Sequence, residues 1–386
     1  MPVIRNALAL AAAIRSGILP GLVQRLGLLL PARNLVVVEG ADREDDVRAI
    51  AEALHSSRPG LAQAWAYRGA GPVDVPSYAR AVARYGLRHQ WLMVRARIWL
   101  DDGTSPLTVR RRHGTHAVMA ACDVPVHRIG LDDPGVLVSP AVVREVRRRG
   151  ARTTSVLVAS EWAGAIIRPA LAVRGPASVV GQPRADSAAR VRAAGAPGID
   201  AWRAGLGLPA DRRIVLLDPV ARATAVPGPG FDLDAWARAL GWRAYLLVHG
   251  PHGLDVPTRL ASAVRDVRGV AAQADWVAAA DLVISDYSSV IGLAALVDVP
   301  VLCFQPDRDT FVRRTTGLYQ QDVAAGPVVT SMESLIDEVG SWLDDPAAWD
   351  ALHGPGRRAF AEHRCGPAGG GAAARAAAAV LDGRFA

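Results

Sequence analysis

The sequence contains no lysine. All 44 basic residues among its 386 are arginines, set against 37 acids, for a net charge of +7. Beside abundant alanine, glycine and proline, that bias reads first as GC-rich coding DNA. The positive balance still suits an anionic partner: a phosphate, a lipid headgroup or nucleic acid. Nucleic acid is the weakest of the three, because no zinc-ligand spacing, basic zipper or RNP-type aromatic motif is present. Cysteine is scarce as well. Cys122, Cys303 and Cys365 form no CxxC pair and no disulfide framework, which fits a reducing compartment. No run approaches the roughly 20 apolar residues that span a bilayer. P-loop, GxGxxG, HExxH and GxSxG patterns are also missing.

Acid is missing from the N-terminal stretch, where Arg5, Arg15, Arg25 and Arg33 precede the first carboxylate, Glu39. The short apolar run Ala7–Ile14 mimics a signal peptide, but no small-residue cleavage site follows it. Residues 1–33 therefore have two open readings: a basic, apolar segment lying at a membrane interface, or helix that packs on the protein's own core.

What is present is alternation. A length of 386 residues, 51% of them hydrophobic, exceeds one ordinary core and fits two domains. Asn34–Gly40 reads as a strand, then helix-compatible sequence, then the strand LAQAWAY. SYARAVARYG reads as a helix, HQWLMVRARIWLDDG as a strand pair, and TVRRRHGTH as sequence ending in a loop. VLVAS is a strand, EWAGAIIRPAL a helix, and SVVGQPRAD a short strand running into a turn. A second cycle follows: RIVLLDP (strand), DLDAWARALG (helix), RAYLLVHG (strand), TRLASAVRDV (helix), DLVISDYSS and VPVLCF (strands), then SMESLIDEVGSWLDD and an Ala-rich terminal helix. Strand and helix in turn imply open parallel sheets, an α/β chain whose halves meet near residues 187–210.

Ligands of such sheets lie beyond the carboxyl ends of strands. Asp286, Tyr287, Ser288 and Ser289 stand at one such end, where a strand passes to a helix. A helix terminus with two hydroxyls suits a phosphate or pyrophosphate. Capping of the helix by Asp286 or Ser288 explains the same residues. Asp232-Leu-Asp234 matches a metal-binding DxD, but it opens a helix, and capping explains it better.

The stretch ADLVISDYSSVIGLAALVDVPVLCFQPDRDTF resembles the signature of the CDP-glycerol glycerophosphotransferases. Three more stretches resemble that family in order: RRRHGTH its His-Gly-Thr-Pro segment, SEWAGAIIRPAL…VVGQPRAD its Ser-Glu…Gly-x-Pro-Arg segment, and GLYQQDVAAGPVVTSMESLIDEV its Gly-Phe-Tyr…Pro-Gly-Pro segment. The resemblance covers about residues 85–380. It implies a GT-B-like fold, two Rossmann-like domains with the donor in the cleft between them. Residues 34–195 would form the acceptor-side domain and 196–386 the donor domain with its C-terminal helix.

By that resemblance His113 is the general base, with Arg112, Gly114 and Thr115 beside the acceptor. His249 and His252 compete for the histidine that meets the donor phosphate. Arg222, Asp286, Ser288, Ser289 and Asp307 (or Asp309) would hold the donor, and Arg184 and Asp186 lie in the matching Gly-x-Pro-Arg turn. His116 and Arg112 depart from the family's residues at their places, and a zinc pair of His113 and His116 has no third ligand nearby. The implied reaction moves glycerol phosphate, or a related polyol phosphate, from CDP-glycerol to a lipid-linked glycan or polyol-phosphate acceptor. CMP would leave, with no metal and no cofactor beyond the donor. The implied setting is the inner face of the cell membrane, in teichoic-acid-like polymer synthesis. Two other readings stay open: a GT-B glycosyltransferase using a nucleotide sugar, and a catalytically weakened binding relative.

Overall fold

The computed structural model describes residues 19–40, 46–67, 75–220, 230–250, 255–309, 311, 317–319 and 325–383. Seven strands form the first sheet: β1 (Arg33–Glu39), β2 (Ala62–Tyr67), β3 (Arg80–Ala83), β4 (Ala96–Asp101), β5 (His116–Ala121), β6 (Ser155–Val158) and β7 (Ala177–Val179). Their order is β3-β2-β1-β4-β5-β6-β7, and every pairing is parallel. The second sheet holds β8 (Arg213–Leu217), β9 (Ala244–Val248), β10 (Val264–Asp266), β11 (Leu282–Ser285), β12 (Val301–Phe304) and β13 (Val328–Val329), in the order β10-β9-β8-β11-β12-β13 and again parallel throughout. Both sheets reverse their strand order beside the first strand, which opens a crevice at the carboxyl ends. The central strands are buried on both faces, as their unbroken apolar runs require.

Three readings of local structure change. SYARAVARYG contains the edge strand β3, because pairing with β2 overrides the helix preference of its alanines and arginines. HQWLMVR lies in a helix, Leu87–Arg95, that runs directly into β4. TRLASAVRDV holds one short 3-10 turn and β10, because the edge of the second sheet recruits it. The domain exchange also differs. Helix Ala185–Ala193 packs on helix Gln273–Ala279 and contributes Ala185 and Ala188 to the second core. The C-terminal helix Ala372–Asp382, expected with the second half, returns to pack on helix Asp46–Ser57 of the first. Asp186 fixes that return, since its two carboxylate oxygens accept from Ala372 N (3.0 Å) and Ala373 N (2.9 Å).

Helix Leu19–Leu29 packs on helix Leu87–Arg95, where Gly27 leaves room for Val94. Buried Gln24 donates to Gln90 Oε1 (2.8 Å) and to Thr108 O (3.2 Å). The opposite face leaves Leu22, Leu26 and Leu29 exposed. Among the described residues no helix is long and apolar enough to cross a membrane.

At the carboxyl end of β4, burial pushes the Asp101 carboxyl up to about 6, against hydrogen bonds from Ser105 Oγ and Gly103 N, each 2.5 Å. Asp46 is pushed to about 6 by the same cause. A carboxyl raised by folding contributes stability below its unfolded value near 3.8, and that contribution is lost as pH rises through about 6. Asp101→Asn, which keeps an acceptor without the charge, is expected to flatten this decline. Urea midpoints at pH 5 and pH 7.5 check it, and an unchanged difference between the two would refute it.

Candidate active site

A cleft of about 980 Å³ opens between the carboxyl ends of the two sheets. The second-domain wall is built on β8, β9 and β11. Asp218 follows β8 and is locked to β11: its N–H donates to Ile284 O (3.0 Å) and its carbonyl accepts from Ser285 Oγ (2.7 Å). Its buried carboxylate Oδ2 accepts from Gln273 Nε2 (2.6 Å) and lies 3.2 Å from His249 Nδ1, within ion-pair reach but not aligned as a hydrogen bond. His249 follows β9, pinned by its N–H to Leu217 O (2.9 Å). A carboxylate only accepts, so Asp218 favours a proton on Nδ1 and leaves Nε2 for the cleft.

Ser288 and Ser289 line the same wall. Ser288 Oγ accepts from Val290 N (3.3 Å) and Ser289 Oγ from Arg184 Nη2 (3.3 Å). Each hydroxyl keeps a proton to donate. The amides of Ile291 and Gly292 are already bonded, to Ser288 O (3.3 Å) and Ser289 O (3.0 Å). The corner therefore offers hydroxyls more than the free helix amides that the sequence suggested.

Several expected donor ligands sit behind this wall. Asp286 is buried, and its Oδ1 accepts from Val220 N (2.7 Å) and Tyr287 N (2.5 Å), which staples the loops after β8 and β11 together. Tyr287 stacks on Phe311 with ring centroids 3.8 Å apart, and its hydroxyl donates to Asp307 Oδ1 (3.2 Å). Asp307 is thus engaged in holding Tyr287, while Asp309 is exposed. Arg222 and His252 lie outside the described residues.

The first-domain wall corrects the sequence reading. His113, Gly114 and Thr115 precede β5, at its amino end. A six-residue strand is about 20 Å long, so this loop is a full sheet-height from the cleft. Arg112 there donates from Nη2 to Gly27 O (2.7 Å) and Leu28 O (3.1 Å), and from Nε to Val94 O (3.1 Å), anchoring the N-terminal helix. Thr115 Oγ1 donates to Ala96 O (3.0 Å) in the core. His116 is buried against Ser155 Oγ (2.8 Å), and burial lowers its pKa. None of the four acceptor-side residues faces the cleft, and a general-base role there is withdrawn for His113.

The residues that follow β5 occupy the expected place: Asp123 and His127, with Asp102 after β4. Asp123 pairs with the Arg184 guanidinium, which also reaches Ser289 and so ties the two walls together. Arg184 is held in turn by its own N–H to Asp46 Oδ1 (2.9 Å). Sequence reasoning missed Asp218, Gln273, Asp123 and His127. Asp218 and Asp123 were within reach of the rule that strand-end residues meet ligands, once their strands are placed. Asp232 caps helix Leu233–Leu240, accepting from Ala235 N (2.9 Å), and Asp234 pairs with Arg259. Among the described residues, no group of three or more His, Cys, Asp or Glu side chains is placed to hold a metal.

Residues 25–380 match the family described as CDP-glycerol:poly(glycerophosphate) glycerophosphotransferase. The chain is 23% identical over 325 residues to a teichoic acid poly(glycerol phosphate) polymerase of Staphylococcus epidermidis; the match covers 78% of this chain but 44% of that protein. The chain thus spans less than half the length of this curated relative. A solved structure of a variant of the wall teichoic acid polymerase TagF superposes with a TM-score of 0.85 at 20% identity, covering 99% of this chain and 97% of that one. A UDP-N-acetylglucosamine 2-epimerase structure from Listeria monocytogenes gives a TM-score of 0.53 at 13% identity, over 89% of this chain and 94% of that one. These likenesses establish the GT-B-like fold.

Proposed function

Since the chain belongs to the CDP-glycerol:poly(glycerophosphate) glycerophosphotransferase family, we propose that it transfers glycerol phosphate from CDP-glycerol to an acceptor hydroxyl and releases CMP. The observation that carries this is the second-domain wall, where His249, oriented by Asp218, shares a cleft with the hydroxyls of Ser288 and Ser289. The acceptor oxygen attacks the β-phosphorus, and the bond from that phosphorus to the bridging oxygen breaks. Charge builds on the departing CMP, where fixed donors stabilise it without reorganising. Orientation of donor and acceptor in one cleft supplies the rest. The reading invokes no cofactor beyond the donor.

The acceptor we propose is a lipid-linked glycan or polyol phosphate, presented at the cytoplasmic face of the membrane. The exposed Leu22, Leu26 and Leu29 beside Arg25 support that setting, because leucines enter the interface while arginine meets anionic headgroups. A second reading has its own observation: the His-Gly-Thr tripeptide stands outside the cleft, which favours a weakened, nucleotide-binding relative.

CMP release from CDP-glycerol, measured with a lipid-linked acceptor ending in glycerol phosphate, separates the two. Acceptor-dependent release is expected. Tight donor binding without release supports the weakened relative. Binding of UDP-sugars in preference to CDP-glycerol would overturn the donor assignment.

A further inference from the structure

We propose that His127 is the catalytic residue that takes the acceptor's proton. The assignment rests on the transferase reading and deepens it. A phosphoryl transfer to a hydroxyl needs an acceptor for the hydroxyl proton on the side from which that oxygen attacks. With the donor placed on the second-domain wall, that side is the first-domain wall, and the titratable side chains lining it among the described residues are Asp102, Asp123 and His127.

Two of the three are committed. Asp123 is bound to the Arg184 guanidinium, and Asp102 Oδ1 accepts from Thr104 N (3.1 Å) at a crowded turn beside Gly40. Among the described residues His127 is the one imidazole on this wall, and imidazole basicity is matched to proton transfer near neutral pH as ordinary carboxylates are not. Its Nδ1 is buried and has no hydrogen-bond partner among the described residues. The ring as a whole is half-buried and lines the cleft, so the nitrogen that a substrate hydroxyl can meet is Nε2, not the enclosed Nδ1.

The backbone adds an independent reason. His127 forms an antiparallel bridge with Leu318, a residue of the second domain's loop after β12. Arg128 N donates to Gly317 O (3.0 Å) and Tyr319 N to Val126 O (3.1 Å), so the bridge is flanked on both sides. Tyr319 extends it, donating its hydroxyl to Asp132 Oδ2 (2.9 Å). The histidine therefore belongs to the first domain by sequence, yet its position is set by the domain that carries the donor. That is the placement a proton acceptor needs to keep its distance from the reacting phosphorus when the domains shift. In the step, the acceptor O–H bond breaks, its proton passes to Nε2 of the imidazole, the oxygen bonds to the β-phosphorus, and CMP leaves with the bridging oxygen.

The test compares wild type, His127→Ala and His127→Gln in CMP release from CDP-glycerol with a lipid-linked acceptor ending in glycerol phosphate. Calorimetric binding of CDP-glycerol runs beside it. Both variants are expected to lose about 10²–10⁴-fold in turnover, with donor affinity little changed. Glutamine keeps the side chain polar and the backbone bridge intact, so a loss shared by both variants is not one of folding. Variant turnover close to that of an active wild type overturns the assignment alone. A wild type that binds CDP-glycerol but releases no CMP overturns the transferase reading, and this assignment with it.

Discussion

His249→Ala is expected to lower acceptor-dependent CMP release by about 10²–10⁴-fold while leaving the fold intact. His249 is about one-fifth exposed (21%) and sits at a strand end, so its loss opens no core cavity. On the proposed reading its work is electrostatic: the ring would meet charge only as CMP departs. Such a residue changes the rate of the chemical step far more than donor affinity. Asp218→Asn tests the orienting half of the pair. An amide in place of the carboxylate no longer selects a proton on Nδ1, so a smaller loss of turnover is expected with the donor KM unchanged. Steady-state kinetics of the two variants, alone and combined, check the coupling. If His249→Ala keeps more than about a third of wild-type turnover, the dyad is not the leaving-group site.

The second-domain wall was legible because its chemistry sits on consecutive residues at one strand end. DLVIS is unmistakable as a buried strand, so Ser288 and Ser289 had to emerge at its carboxyl end and at the cleft. The first-domain wall failed for a topological reason. The tripeptide His113-Gly114-Thr115 is a loop, as its sequence suggests, but the sequence reading contains no strand at His116–Ala121 directly after it. Whether a loop precedes or follows its strand decides which end of a parallel sheet it occupies, and that single error moved the proposed base by the height of the sheet. Alanine-rich HAVMAA carries little strand signature of its own; burial between β4 and β6 makes it a strand. Asp286 and Asp307 show a different limit. Residue type and position suit ligand binding, but only the fold reveals that Val220 N and the Tyr287 hydroxyl already engage Oδ1 of each carboxylate.

The largest stability effect is expected at Glu39, the last residue of β1. Its carboxylate is fully buried, with Oε2 2.7 Å from Arg84 Nε and Oε1 2.5 Å from His89 Nε2. His89 Nδ1 accepts from Tyr85 N (3.2 Å), so its remaining ring proton faces Glu39. Arg84 in turn holds the loop after β4, donating to Thr104 Oγ1 (3.0 Å), two residues beyond the cleft residue Asp102. Replacing a buried ion pair whole can be neutral, but removing one member strands the other charge. Glu39→Ala leaves the Arg84 guanidinium in the core without its counter-ion, a loss of about 3–5 kcal/mol. For a domain of this size that corresponds to a fall of roughly 10 °C in the first domain's thermal midpoint. Glu39→Gln keeps the shape but not the charge and should fall between the variant and wild type. Calorimetry of all three proteins checks the order. A midpoint for Glu39→Ala within about 2 °C of wild type would mean that water or rearrangement neutralises Arg84. The cleft would then owe less to this triad than its burial implies.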